Sequence, residues 1–253
     1  MNLLVFFVIL ISSTLSSASS KKITLITMDI PPFMSPHLPD QGAAIYGLRQ
    51  TFKKAGYDLE VRFEPVPRIR NVGLSDKKIN GFFPSFTDEN FNHKLILSKL
   101  FYKTPWVIVE RKDKPIIWKE PRDLLKYKGG NVAGYVLRSQ VAAIYKNNMQ
   151  HLESAASDSI NILKLIHKRV DFIFIDLNVF NFITTTNPEI KPLAYQLKVN
   201  PKIIALNQYG IGFKSDSLNQ TLLKEFNKVV DEKEFTQWVS KYLENQTKTA
   251  PAK

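Results

Sequence analysis

No cysteine occurs anywhere in the 253 residues. That excludes a disulfide framework, an iron–sulfur cluster, a thiolate zinc site and a cysteine nucleophile, and it removes the residue that carries a lipoprotein-type anchor. Histidine is scarce. His37, His93, His151 and His167 lie far apart without metal-ligand spacing, so each reads as a surface residue and neither a metal nor a cofactor is expected. Long hydrophobic runs are missing as well: the run Leu3 to Ile11 is nine residues, well short of the roughly 20 that a membrane-crossing helix needs. The catalytic signatures are also absent, with no Gly-x-x-x-x-Gly-Lys phosphate loop, no Gly-x-Ser-x-Gly elbow and no His-Glu-x-x-His helix. Gly210-Ile211-Gly212 lacks the third glycine of a dinucleotide fingerprint and reads as strand. Negative charge is the minority sign, 23 Asp plus Glu against 35 Lys plus Arg, which leaves a formal charge of +12.

A basic excess suits nucleic acid, an anionic membrane surface or capture of small anions, and field strength alone does not choose among them. The densest basic stretch, Lys112 to Lys119 with Trp118 inside it, is broken by Asp113 and followed by Glu120 and Asp123. It reads as a solvated face with no recognition module beside it, so no nucleic-acid partner is expected.

What is present is a globular composition, 44% hydrophobic, long enough for one large domain or two small ones. Residues 1–20 stand apart: the apolar run is followed by Ser, Thr and Ala, and Lys21-Lys22 then opens the charged sequence. This reads as a cleaved secretory signal peptide, with Ser16-Ser17-Ala18 or Ala18-Ser19-Ser20 supplying small residues for cleavage, although its start carries no Lys or Arg. The mature product is expected in the periplasm, unanchored.

From Lys22 the chain alternates strand and helix. Lys22–Met28 is β-branched and apolar and ends at Pro31-Pro32; Ala44, Ile45, Leu48, Phe52 and Ala55 recur at helical spacing before Gly56; Leu59–Phe63 alternates as a strand does. After a short polar helical stretch, Gly81–Pro84 and Trp106–Val109 read as strands. Lys112–Gly130 is a charged, turn-rich boundary. The pattern restarts with Val132–Val136 as strand, Ser139–Tyr145 as helix, Ser157-Asp158 capping a helix through Ile160, Leu163 and Ile166, and Phe172–Ile175 as buried strand. Ile203–Phe213 is extended, and two helices close the chain through Leu222, Phe226, Val229 and Phe235, Trp238, Val239, Tyr242.

The order of Pro31-Pro32-Phe33, Pro67-Arg68-Ile69-Arg70, Gly81–Thr87, Trp106 and His167–Asp176 resembles the periplasmic solute-binding proteins of the amino-acid-binding (family 3) type; the last segment is similar to the family's Gly-Arg-x-Asp-x-x-x-x-Asp. The resemblance implies a type II periplasmic-binding fold: two α/β lobes, each a mostly parallel sheet flanked by helices, joined by two crossover segments. Lobe 1 would comprise residues 21–106 and 201–253, and lobe 2 residues 107–200. It further implies an exported, non-enzymatic monomer that closes on a small polar or anionic solute, amino-acid-like or a carboxylate, and feeds an ABC transporter permease.

Carried over residue by residue, the expected ligand-binding positions are Asp29, Phe33, Arg68, Arg70, Ser85, Thr87, Arg138, Ser139 and Asp176. Five of them have a plain structural alternative. Phe33 could pack in the core; Ser85 and Thr87 could cap a helix; Arg138 could be solvated; and Asp176, matching the acid that holds an α-ammonium in the family, could be only a helix N-cap. Asp171 reads as structural. The chain departs from the family at Asn90, where the arginine that forks onto the ligand carboxylate belongs, so Arg70, Arg68 or Arg138 would have to replace it. Two other readings stay open. An enzyme on this scaffold, resembling an exported dehydratase of the same fold, needs a carboxylate of raised pKa in the cleft, with Glu64 or Glu89 nearest; a basic surface protein would bind anionic polymers or lipid heads.

Overall fold

The computed structural model describes residues 21–86, 94–137 and 139–249. The expected signal segment, Thr87, Glu89, Asn90 and Arg138 lie outside the described residues.

Strand β1 (Lys21–Thr27) and strand β2 (Tyr57–Phe63) pair in parallel, Ile23 opposite Leu59 and Leu25 opposite Val61. A parallel pair needs a crossover, and helix α1 (Ala43–Lys54) supplies it, burying Ala44, Ile45, Leu48 and Phe52 at helical spacing. Gly47 on α1 lets the helix approach closely, since a Cβ there would stand 2.9 Å from the ring of Phe235. Strand β3 (Gly81–Ser85) adds in parallel on the far side of β1, and helix α2 (Val66–Ser75) connects β2 to it. A short strand, β4 (Leu95–Leu97), follows and was not legible in the sequence.

The second half repeats the scheme with strands β5 (Tyr102–Arg111), β6 (Gly129–Val132), β7 (Leu152–Ala155) and β8 (Phe172–Asp176) and helices α3 (Ser139–Tyr145), α4 (Asp158–Ile166) and α5 (Leu177–Thr186). Here β6 pairs in parallel with both β7 and β8. The long strand β9 (Leu197–Lys214) binds the halves together. Its first part runs antiparallel to β5, and Gly210 to Phe213 run antiparallel to β3. The strand order is β2-β1-β3-β9-β5-β8-β6-β7, with β4 attached to the end of β9. Each half is thus a parallel core closed by an antiparallel crossover strand. Helices α6 (Ser217–Val229) and α7 (Glu232–Thr249) return to the first half, where Phe226 and Phe235 meet Phe101. Among the described residues, no helix is long and apolar enough to cross a membrane.

One expected strand is displaced. The sequence reads Val132–Val136 as strand, but the strand is Gly129–Val132 and residues 133–137 form a turn. The glycine pair is used for close packing: a Cβ on Gly129 would lie 2.7 Å from the Phe172 ring, and one on Gly130 would strike Asn161. Local propensity reads such a pair as a turn; tertiary contact overrides it.

Candidate functional site

A cavity of about 300 Å³ lies where the two halves meet. That is the small end of the range for ligand pockets and too small for a polymer. Its first wall comes from α2, from the loop after β1 and from the end of β3. On α2, Val66, Ile69 and Arg70 stand at i, i+3 and i+4, hence on one face, and all three line the cavity. In the loop, Phe33 is buried and meets Tyr102 edge-on at 5.8 Å between ring centroids. Its carbonyl accepts from the amide of Ala44 at 2.9 Å, which ties the loop to the start of α1, and Gly42 sits beneath it with φ +102, where any Cβ would collide with that carbonyl. Ser85 is buried at the end of β3; Gly212 on β9 allows this, because a Cβ there would come within 2.7 Å of the Ser85 hydroxyl.

The second wall is acidic. Asp176 ends β8 and caps α5, its Oδ1 accepting from the amides of Asn178 at 2.8 Å and Val179 at 3.4 Å. Its Oδ2 is buried with no hydrogen-bond partner. Asp158, one residue after the Ser157 cap of α4, accepts at Oδ2 from the Tyr135 hydroxyl at 3.0 Å, and its Oδ1 is likewise buried and unpartnered. The two residues are only 8% and 9% exposed, and both line the cavity. Burial pushes each carboxyl up to about 6. For Asp158 the Tyr135 hydroxyl acts in the opposite direction and the Asp176 charge adds to the rise; for Asp176 the Thr104 hydroxyl and the α5 amides offset part of it. Tyr135 is driven well above its ordinary value by desolvation and then by the Asp158 charge, so it stays a phenol and a donor.

Between the walls run the crossover strands, contributing Tyr102 and Trp106 from β5 and Asn207 and Tyr209 from β9. The Tyr209 hydroxyl bonds the Thr104 hydroxyl at 2.9 Å, and the Tyr209 ring lies 5.0 Å from that of Phe86. The walls also touch. Gly134, with φ +84, faces Val66 of α2 so closely that a Cβ would stand 2.7 Å from a Val66 methyl. Among the described residues the arrangement can enclose a small solute with one positive and two negative side chains and an otherwise mostly apolar and aromatic surface.

Of the sequence-derived positions, Phe33, Arg70, Ser85 and Asp176 meet at this cavity. Asp29 is exposed and stands outside the lining; Arg68 is exposed on the other side of α2, 3.7 Å from Glu64. The helical repeat explains Arg68: Arg70 is one turn beyond Val66, whereas Arg68 falls between the two on the far face. Ser139 opens α3, and Thr87 and Arg138 lie outside the described residues. Glu64, named for the enzymatic alternative, is paired with Arg62 at 2.7 Å and does not line the cavity. Asp171 is structural, bonded to Lys114 at 2.7 Å and to the Lys128 amide at 3.0 Å. Sequence reasoning missed Asp158 and Tyr135 as site residues; the only signal was the Ser157-Asp158 helix start. Among the described residues no cluster of His, Asp and Glu could hold a metal.

No family model matches the chain, and no curated protein is significantly similar to it. Solved structures are. An ancestral arginine-binding protein bound to arginine superposes with a TM-score of 0.69 at 21% identity, over 87% of this chain and 97% of that one. The GluR0 ligand-binding core from Nostoc punctiforme in complex with L-glutamate gives 0.66 at 17%, over 87% and 98%. AbpA, an amino acid ABC transporter substrate-binding protein from Streptococcus pneumoniae bound to L-arginine, gives 0.67 at 19%, over 93% and 98%. The chain therefore has the two-lobed fold of these binding proteins.

Proposed function

We propose that this chain is an exported, non-enzymatic solute-binding protein of the amino-acid-binding (family 3) type, which closes as a monomer on a small zwitterionic solute and passes it to an ABC transporter permease. The observation that carries this reading is the polarity of the cavity: Arg70 on one wall, and two buried carboxylates with unpartnered oxygens on the other. A zwitterion has the complementary polarity, its carboxylate toward Arg70 and its ammonium toward the acids. The neighbours of like fold support it, being amino-acid-binding proteins and, in one instance, an ABC transporter substrate-binding protein. In this reading lobe 1 is residues 21–106 with 201–253, lobe 2 is 107–200, and residues 1–20 are removed on export. A purely anionic solute is disfavoured, because it would face two carboxylates. A thermal-shift screen of amino acids and small carboxylates tests the proposal: a ligand at a hundred times its dissociation constant adds about 2.7 kcal/mol. The absence of any hit among amino acids and related zwitterions would sink it.

The paired carboxylates of raised pKa also meet the requirement set by the enzymatic reading. Recovery of the ligand unchanged after prolonged incubation separates binding from turnover.

A further inference from the structure

A second cleft, of about 510 Å³, lies between residues 118–121, the start of α3 and β9, and shares no lining residue with the cavity described above. Its size falls within the range of small-molecule sites. The floor is apolar: Val141 is buried, and Trp118 and Ile204 pack against the hydrophobic cluster of Trp106, Phe172 and Phe174. Among the described residues the charged side chains of the lining are Lys119 and Lys202, with no acid beside them.

Lys202 is fixed in place with its charge unspent. Its Nζ donates to the carbonyl oxygens of Trp118 at 2.9 Å and Lys119 at 3.0 Å, and stands 4.5 Å from the centroid of the Trp118 ring. An ammonium has three donors, so two carbonyls leave one N–H over, and neither a carbonyl nor a ring neutralises the cation. Among the described residues neither Lys202 nor Lys119 has a carboxylate at ion-pair distance. The acid next to them in the chain, Asp123, is taken by Lys126 at 2.6 Å and by the amides of Lys119 and Glu120. Elsewhere in this half lysines are answered, Lys114 by Asp171 and Lys164 by Glu153. The wall is also anchored: Trp118 Nε1 donates to Asn200 at 3.4 Å, and buried Asn200 donates to Glu110 at 3.0 Å. A cation held this way loses little freedom when an anion arrives.

We propose that this cleft is a second binding site, for a small organic anion with an apolar body, its anionic group at Lys119 and Lys202 and its body on Val141, Ile203 and Ile204. Two ammonium groups disfavour a cation, and the apolar floor gives nothing to a bare inorganic ion. The site is independent of the reading under Proposed function.

The test titrates octanoate into the mature protein at neutral pH, by calorimetry and intrinsic fluorescence, against octanamide, which has the body without the charge, and acetate, which has the charge without the body. Octanoate should bind at least about tenfold more tightly than either, from the charge-assisted hydrogen bond on one side and the buried methylenes on the other. Lys119→Gln, at an exposed side chain without a partner, should keep the fold and narrow the gap to octanamide, and Lys119→Gln/Lys202→Met should close it, its fold being checked by thermal melt. Octanoate should also change the tryptophan fluorescence, a response that Trp118→Phe abolishes. Octanoate no tighter than octanamide or acetate, a gap unchanged in both lysine variants, or a fluorescence response retained in Trp118→Phe would overturn the proposal.

Discussion

At Asp176 one carboxylate oxygen serves the fold and the other is left without a hydrogen-bond partner. Oδ1 caps α5, while Oδ2 is buried beside the cavity. Asparagine caps a helix as well as aspartate does, so Asp176→Asn should keep α5 and remove only the charge. We expect it to weaken amino-acid binding by roughly a hundredfold, the upper end for a charged hydrogen bond, and to raise the melting temperature of the unliganded protein at pH 7.5. Calorimetry and a melt on the same sample read both. The stabilisation follows from the raised carboxyls. A group whose folded pKa is about 6, above its unfolded value, contributes stability below that unfolded value and loses it as pH rises through 6. Lowering pH from 7 to 5 should therefore stabilise the unliganded protein by about 1 kcal/mol per carboxyl, less than additively for neighbours, and weaken a ligand held through an ammonium group over the same range. In Asp158→Asn/Asp176→Asn this part of the pH dependence should vanish. Of the pair, Asp176 was legible because the segment ending in it matches a family pattern. Asp158 was not, because an acid after a serine cap is what any helix start favours, and only the packing of Tyr135 and β8 around it brings it to the cavity.

The elements that meet at the cavity are α2 and the turn following β6. Gly134 has φ +84 and stands against Val66, so valine there should both strain the backbone and wedge the walls apart. For Gly134→Val we expect ligand affinity to fall with little change in the folded core, and scattering to show no compaction on ligand addition. A variant that compacts and binds normally would show that this contact is not part of closure. The same turn shows where sequence reasoning gave out. The helices α1, α3 and α4 were read from spacing and caps within a residue or two, since those signals are local. The turn at 133–137 was read as strand, because the requirement for glycine at 129 and 130 comes from Phe172 and Asn161 on distant segments.

At the scale of the molecule, β5 and β9 run through both halves, so any relative motion of the lobes must be absorbed where these strands pass the cavity. Among the described residues most basic side chains lie at the surface, whereas the two cavity acids are buried and screened little. Amino-acid affinity should then change only slightly with added salt, and a steep salt dependence would instead favour a polymer-binding surface. Amino-terminal sequencing of the exported protein should find residues 1–20 wholly or largely removed; retention of Met1 on a protein recovered outside the cytoplasm would contradict the signal-peptide reading.

Sequence alone determined what depends on neighbours along the chain: the exclusion of thiol chemistry, the alternation of strand and helix, the cap at Ser157, and the ordered segments that resemble one family. The tertiary structure decided what depends on residues far apart in sequence. It set Arg70 rather than Arg68 toward the cavity, left Asp29 outside, and brought Asp158 to the same wall as Asp176. The physical reason is that a buried carboxylate owes its chemistry to its desolvation and to the partners it lacks, and both are properties of packing that no local pattern records.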